Sequence, residues 1–139
     1  AGDPTRYPDA GEPWQPLKLY YHHSFHRDRT QALHDEMIMR GMTSPYEERL
    51  SSWKPDPEHA KRITTRVPCA EYFRVRDQAL LAHATQIDPD GAWFACPLEV
   101  HEKAWPTEDY ELVRSHVDTT TPEDDLFAGV REALETMKP

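Results

Sequence analysis

Glycine is scarce in this chain, with five among 139 residues. A phosphate-cradling loop places several glycines in short register, and no such motif is present. Cysteine is scarcer. Cys69 and Cys96 lie far apart and form no Cys-x-x-Cys pair. That argues against a disulfide framework or a thiolate zinc clip and leaves free thiols in a reducing cytoplasm as the expectation. Positive charge is short as well: 16 Lys and Arg stand against 25 Asp and Glu, a net charge of −9. A chain so acidic, without a basic patch, does not bind nucleic acid non-specifically. No apolar run approaches the roughly 18 residues of a membrane-spanning helix, and residues 1–4 carry no apolar leader core. No Ser/His/Asp arrangement stands out, and no histidine precedes a proline.

The hydrophobic content of 37% is low, against about 45–50% in ordinary domains when glycine is counted too. Thirteen prolines break the chain often. Four Trp, six Tyr and four Phe nevertheless argue against disorder. The length suits one domain, and the composition suits a part that completes its core against something else.

Residues 1–16, with Pro4, Pro8, Pro13 and Pro16, read as an extended connection. Residues 17–21 read as a strand, buried on both faces of a parallel sheet. Ligands of open α/β sheets bind beyond the carboxyl ends of such strands, which puts His22, His23 and Ser24 where a site belongs. Residues 25–40 form a polar helix with Gly41 as its stop. Ser44-Pro45-Tyr46-Glu47 starts a second, short helix by N-cap, N1 proline and capping-box glutamate. It reaches about Trp53 before Pro55 and Pro57, so residues 25–57 form a helical excursion.

Residues 61–67 read as the next strand, with Thr64, Thr65 and Val67 β-branched and Pro68 ending it. Residues 70–86 are rich in helix formers, with Phe73, Asp77, Leu80 and Ala84 on one face. Asp88-Pro89-Asp90-Gly91 closes that helix. Residues 92–95 pack under it. Pro97 opens a short helix ending near Trp105. Residues 110–117 read as an edge strand, since they lack one clean apolar face. Thr121-Pro122-Glu123-Asp124 starts a last helical piece, and Lys138-Pro139 reads as a frayed end.

His22-His23-x-x-His26 is the densest set of metal-capable side chains. On a strand, however, His22 and His23 point to opposite faces and cannot share an ion. No acid or cysteine completes the spacing of a metal site, so this chain is expected to hold no metal by itself. His83 reads as a packing histidine. Gln86, three residues on and expected on the same helix face, is a neutral donor and acceptor just before a turn. Arg76-Asp77 reads as a structural ion pair within reach of Arg66. Met37, Met39 and Met42 with Trp53 form an adaptable apolar set of the kind that suits varied ligands.

Several stretches resemble one known family in the same order along the chain. They are Lys18-Leu19-Tyr20-Tyr21-His22-His23, Thr64-Thr65-Arg66-Val67, Ala82-His83-Ala84-Thr85-Gln86-Ile87-Asp88-Pro89, Trp105-Pro106-Thr107-Glu108, Tyr110-Glu111-Leu112-Val113-Arg114-Ser115 and Asp125-Leu126-Phe127-Ala128-Gly129. Together they resemble the LmbE/PIG-L family of zinc-dependent N-deacetylases, and more specifically its members that cleave mycothiol S-conjugates. The resemblance implies the C-terminal half of a Rossmann-like α/β fold, with short strands and helical insertions, over residues 1–139 of a single domain. It implies hydrolysis of an amide bond to a mercapturic acid and glucosaminyl inositol, with a zinc ion polarising the carbonyl and an Asp as base. The family's Ala-His-Pro-Asp-Asp-Glu and His-Pro-Asp-His type motifs are both absent, and the chain opens on Ala1 rather than Met. The resemblance therefore leaves the zinc, and every catalytic residue, to a missing N-terminal half of the same enzyme. This half would supply sheet completion and part of the substrate wall. His23 is carried over as the histidine at a strand end, Gln86 as a residue near the active site, and Met37 with Trp53 as a lining for the variable thiol adduct. The sister acetylglucosaminyl-inositol deacetylase, and a non-catalytic α/β interaction module, stay open as alternatives.

Overall fold

A three-stranded antiparallel sheet carries the fold in the computed structural model, which describes residues 3, 5–9, 11, 14–23 and 25–136. Strand β1 is Lys18–His22, β2 is Thr65–Pro68 and β3 is Thr107–Ser115, in the order β1-β3-β2. Between β1 and β2 run helices α1 (Arg27–Met39), α2 (Glu47–Ser52) and α3 (Pro57–Arg62). Between β2 and β3 come a 3-10 turn (Ala70–Tyr72), α4 (Phe73–Leu81) and α5 (Leu98–Ala104), and α6 (Val130–Thr136) follows β3. The class is mixed α/β, as expected. Pro4, Pro13, Ser24 and the Lys138-Pro139 end lie outside the described residues.

The core is small. Leu33 and Met37 of α1, Leu50 of α2, Phe73 of α4 and Val100 of α5 are its buried apolar side chains. Burying each such side chain contributes about 1.5–3 kcal/mol. The polar interior compensates on both faces of the sheet. On one face, Glu123 accepts from Lys18 at 2.7 Å, Tyr20 at 2.5 Å and Thr65 at 3.0 Å. On the other, Asp109 is 1% exposed and fully bonded.

Several expectations are corrected. β1 is not a buried parallel strand. Among the described residues it pairs antiparallel with β3 alone, through a register shift between Leu19 and Tyr20, and Leu19 and Tyr21 remain exposed. The strand expected at 110–117 is not at an edge. β3 is the middle strand, and its mixed polarity arises because Glu108, Asp109 and Glu111 each meet a cationic or imidazole partner. Lys61 and Arg62 belong to α3 rather than to a strand. Asp56 caps that helix, accepting from the Glu58 and His59 N–H groups at 3.1 Å, and Pro57 sits at its start.

The helix expected over 70–86 is cut to Phe73–Leu81 after a 3-10 turn. Residues 81–86 are all exposed, and a short helix that packs on nothing is marginal in water. His83 and Gln86 instead occupy a separate turn, with the Gln86 N–H bonded to the His83 carbonyl at 2.8 Å. Glu123, expected to start a helix, bridges to Thr65 in parallel instead, and the final helix begins at Val130. At α2 the Ser44 hydroxyl accepts from the Tyr46 N–H at 3.2 Å, and the helix begins two residues later than its N-cap signal places it, at Glu47. Gly41, with φ of 71°, ends α1 as expected. Trp93 packs against α4, its indole N–H 3.3 Å from Asp77 and its ring under Arg76.

Candidate functional site

The carboxyl end of β1 delivers its histidines to both faces of the sheet, as the strand period requires. His22 lies over Tyr110, with ring centroids 4.9 Å apart, and its Nε2 is 3.1 Å from Glu108. His23 points the other way. Its Nε2 lies 3.1 Å from Glu111 and its Nδ1 3.3 Å from Nε2 of His59. His26 follows as the N-cap of α1. Its Nδ1 accepts from the Arg29 N–H at 3.3 Å, so Nε2 carries the proton and donates to Asp109 at 2.8 Å.

Three imidazoles therefore gather on one side of β3. The His26 and His59 rings are 6.0 Å apart, and the His23 and His59 rings 4.8 Å. Trp105 closes one flank, edge-on to His26 at 5.3 Å, with its indole N–H 3.0 Å from Asp109. A cavity of about 70 Å³, room for a few waters or the end of a polar group, opens beside them between His26, Trp53, Asp56 and His59.

The electrostatics follow from burial and neighbours. Burial works to raise the Asp109 carboxyl, but hydrogen bonds from His26 and Thr107 outweigh it and hold the group below the ordinary carboxylate range. Glu108 behaves alike: burial is outweighed by Arg29 and by bonds from His22 and Arg76. His59 is lowered by burial and then by His23, Arg62 and His26. At any pH above its lowered value His59 is a neutral imidazole facing two other rings. Such a cluster can accept, donate and relay protons to a polar group in the cavity.

The residues do not fit a zinc ion. Among the described residues, no group of three or more His, Cys, Asp or Glu could hold a metal. Both nitrogens of His26 are committed, and both of His23 face protein partners.

Of the expected site residues, the structure brings His23 and Trp53 to one neighbourhood. Trp53 lines the cavity that His59 shares, with Arg49 stacked on its ring at 4.6 Å. Met37 is 2% exposed and sits in the core, so it can shape such a wall only from behind. Met39 is exposed. Gln86 is exposed, and its side-chain amide bonds locally to the Thr85 carbonyl at 3.1 Å. Arg76 does pair with Asp77, at 3.0 Å, but Arg66 turns to Asp109 at 3.8 Å instead. Sequence reasoning missed His59, Asp109 and Glu111. The Asp56-Pro57 helix-start signal would have placed His59 in the first turn of a helix, three residues past its cap.

The chain's similarities point first to a class of carbohydrate-inositol deacetylases. It is 35% identical over 144 residues to the 1D-myo-inositol 2-acetamido-2-deoxy-alpha-D-glucopyranoside deacetylase 1 of Frankia alni, covering 94% of this chain and 46% of that protein. It is 30% identical over 144 residues to the corresponding deacetylase of Streptomyces avermitilis, covering 94% and 44%. Within that company the strongest of these likenesses is to a mycothiol S-conjugate amidase of Streptomyces coelicolor. That protein is 52% identical over 134 residues, which cover 95% of this chain and 46% of the relative. The likeness expected from the ordered motifs is thereby borne out. The chain spans about half the length of the curated relatives it matches. No protein-family model matches the chain, and no solved structure matches it. No helix among the described residues is long and apolar enough to cross a membrane.

Proposed function

We propose that this chain is part of a zinc-dependent amidase that hydrolyses the amide bond of mycothiol S-conjugates, in thiol-dependent detoxification in the cytoplasm. The observation that carries the reading is the 52% identity to the Streptomyces coelicolor amidase over 134 residues. The products would be a mercapturic acid, bearing the adduct, and glucosaminyl inositol. In this reading residues 1–139 are the C-terminal part of one amidase domain, and the zinc and the hydrolytic groups lie in the N-terminal part. The residues of this chain supply sheet completion and substrate wall. His23, oriented by Glu111, and Trp53 line the wall beside the small cavity, Met37 backs it, and Gln86 approaches the substrate from its exposed turn.

The zinc and activity of this chain can be measured alone and after joining it to the remaining part of the amidase. The chain alone should bind no stoichiometric zinc and release no glucosaminyl inositol from a bimane S-conjugate of mycothiol. The joined protein should do both. Stoichiometric zinc on the 139-residue chain alone would overturn the reading. Preferential release of acetate from acetylglucosaminyl inositol would assign the sister deacetylase activity. Neither activity from the joined protein would favour a non-catalytic interaction module.

A further inference from the structure

A second cavity lies between the first half of α1, the approach to α2 and the segment before α5. Its volume is about 290 Å³. It stands apart from the histidine cluster, and the amidase reading does not use it. Its walls are largely apolar: Phe25, Leu33, Pro45 and Trp93 contribute to them. Phe25 and Trp93 meet edge-on at 5.6 Å and form one continuous aromatic side.

The charge of the lining is one-signed. Arg29 and Arg49 line the cavity, and among the described residues no aspartate or glutamate does. Arg29 is 5% exposed, so its charge is held almost out of water. Its Nη2 lies 2.6 Å from Nε2 of His101, a neutral acceptor, and 3.8 Å from the Glu108 carboxylate behind it. Burial and the flanking Arg29 and Arg76 pull His101 down to about 3, so it adds no second charge and no anion. Tyr46, the phenol of the lining, is pushed up to about 12, chiefly by burial, and is neutral too. A cation at low dielectric attracts an anion far more strongly than one in water. A planar guanidinium is matched by the two oxygens of a carboxylate. Small-molecule sites start at about 300 Å³, so an occupant here is one or two rings in size.

We propose that this cavity binds a small aromatic monocarboxylate, its ring against Phe25 and Trp93 and its carboxylate toward Arg29 and Arg49. Apolar walls favour the ring, and the two arginines of the lining select the acid over a neutral analogue.

Calorimetric titration of the 139-residue chain with 2-naphthoate and with uncharged 2-naphthamide tests the proposal. The acid should bind at least tenfold more tightly than the amide. Ala92→Trp adds bulk at an exposed lining position and should weaken the acid tenfold or more, with an unchanged circular dichroism spectrum. Arg49→Gln, at an exposed position, should narrow the preference for acid over amide several-fold. Equal binding of acid and amide, no binding of the acid at millimolar concentration, or undiminished binding by a folded Ala92→Trp variant would overturn it.

Discussion

His26 and Asp109 meet at 2.8 Å, a neutral imidazole N–H on a buried carboxylate, and this pair joins the first turn of α1 to the middle strand of the sheet. The other ring nitrogen of His26 caps the same helix through the Arg29 N–H. One side chain thus fixes both the start of α1 and its distance from β3. The cluster of His23, His26 and His59 is built on that joint.

Asp109→Asn should weaken the protein by about 2 kcal/mol, the usual penalty when a buried, charge-assisted hydrogen bond is lost. Oδ2 accepts from both His26 and Trp105, so the new amide must turn its nitrogen toward Thr107. Urea unfolding of the variant beside the parent gives the difference. An unchanged midpoint would show that the joint is not needed for stability.

Glu123→Gln removes the charge that faces Lys18, and both side chains are less than 5% exposed. Leaving a buried ammonium without its partner costs about 3–5 kcal/mol. Replacing both residues, as Lys18→Met with Glu123→Leu, should recover part of that loss, because a buried pair exchanged for apolar groups is often near neutral. Thermal melts of the single and double variants decide it. A double variant less stable than the single one would contradict this reading.

Stability should fall as the pH drops below about 6.5, well before the carboxylates titrate. His101 is held down to about 3 by burial and by Arg29 and Arg76, whereas an unfolded histidine titrates near 6.5. Between those values the unfolded chain binds the extra proton, so acid favours unfolding. At pH 5 the loss from this residue is about 2 kcal/mol. His59, also lowered, acts in the same direction. Asp109, Glu108 and Glu123 are held below their ordinary values and add their share at lower pH. Unfolding free energies from pH 7.5 to 4.5 should show the slope. His101→Gln, which keeps an acceptor for Arg29, should remove most of it.

Gln86→Ala should leave stability within about 0.5 kcal/mol, since the side chain is exposed and bonds only to its neighbour Thr85. On the proposed amidase reading, the same change in the complete protein should lower turnover of an S-conjugate several-fold. Unaltered turnover would remove Gln86 from the substrate wall.

The sequence made the helix termini readable where capping chemistry is local. Gly41 stops α1, and Pro97 opens the short helix that ends at Trp105. The β-branched Thr64, Thr65 and Val67 marked where β2 lies, but the strand expected from residue 61 starts only at Thr65, because Lys61 and Arg62 belong to α3. Strand order was not legible, because it depends on partners distant in the chain. Glu108, Asp109 and Glu111 look like solvent-facing charges until Arg76, His26 and His23 are brought opposite them. The central helix was overextended because Ala, Thr and Gln at 82–86 carry propensity without packing, and here exposure decided against them. His59 stayed hidden because Pro55 and Pro57 read as breaks, although Pro57 begins a helix.

The two flanks of the sheet differ in one further respect. Beyond β2, the Arg66 N–H bonds the Glu123 carbonyl at 2.9 Å and the Glu123 N–H bonds Thr64 at 3.0 Å, so a bend of the chain already occupies that margin. Beyond β1, no strand pairs among the described residues. Among the described residues the ladder is stoppered on one flank and open on the other. A further strand, from whatever source, has a single direction in which to enrol, alongside Lys18–His22, and the exposed Leu19 and Tyr21 would be the first side chains it covers.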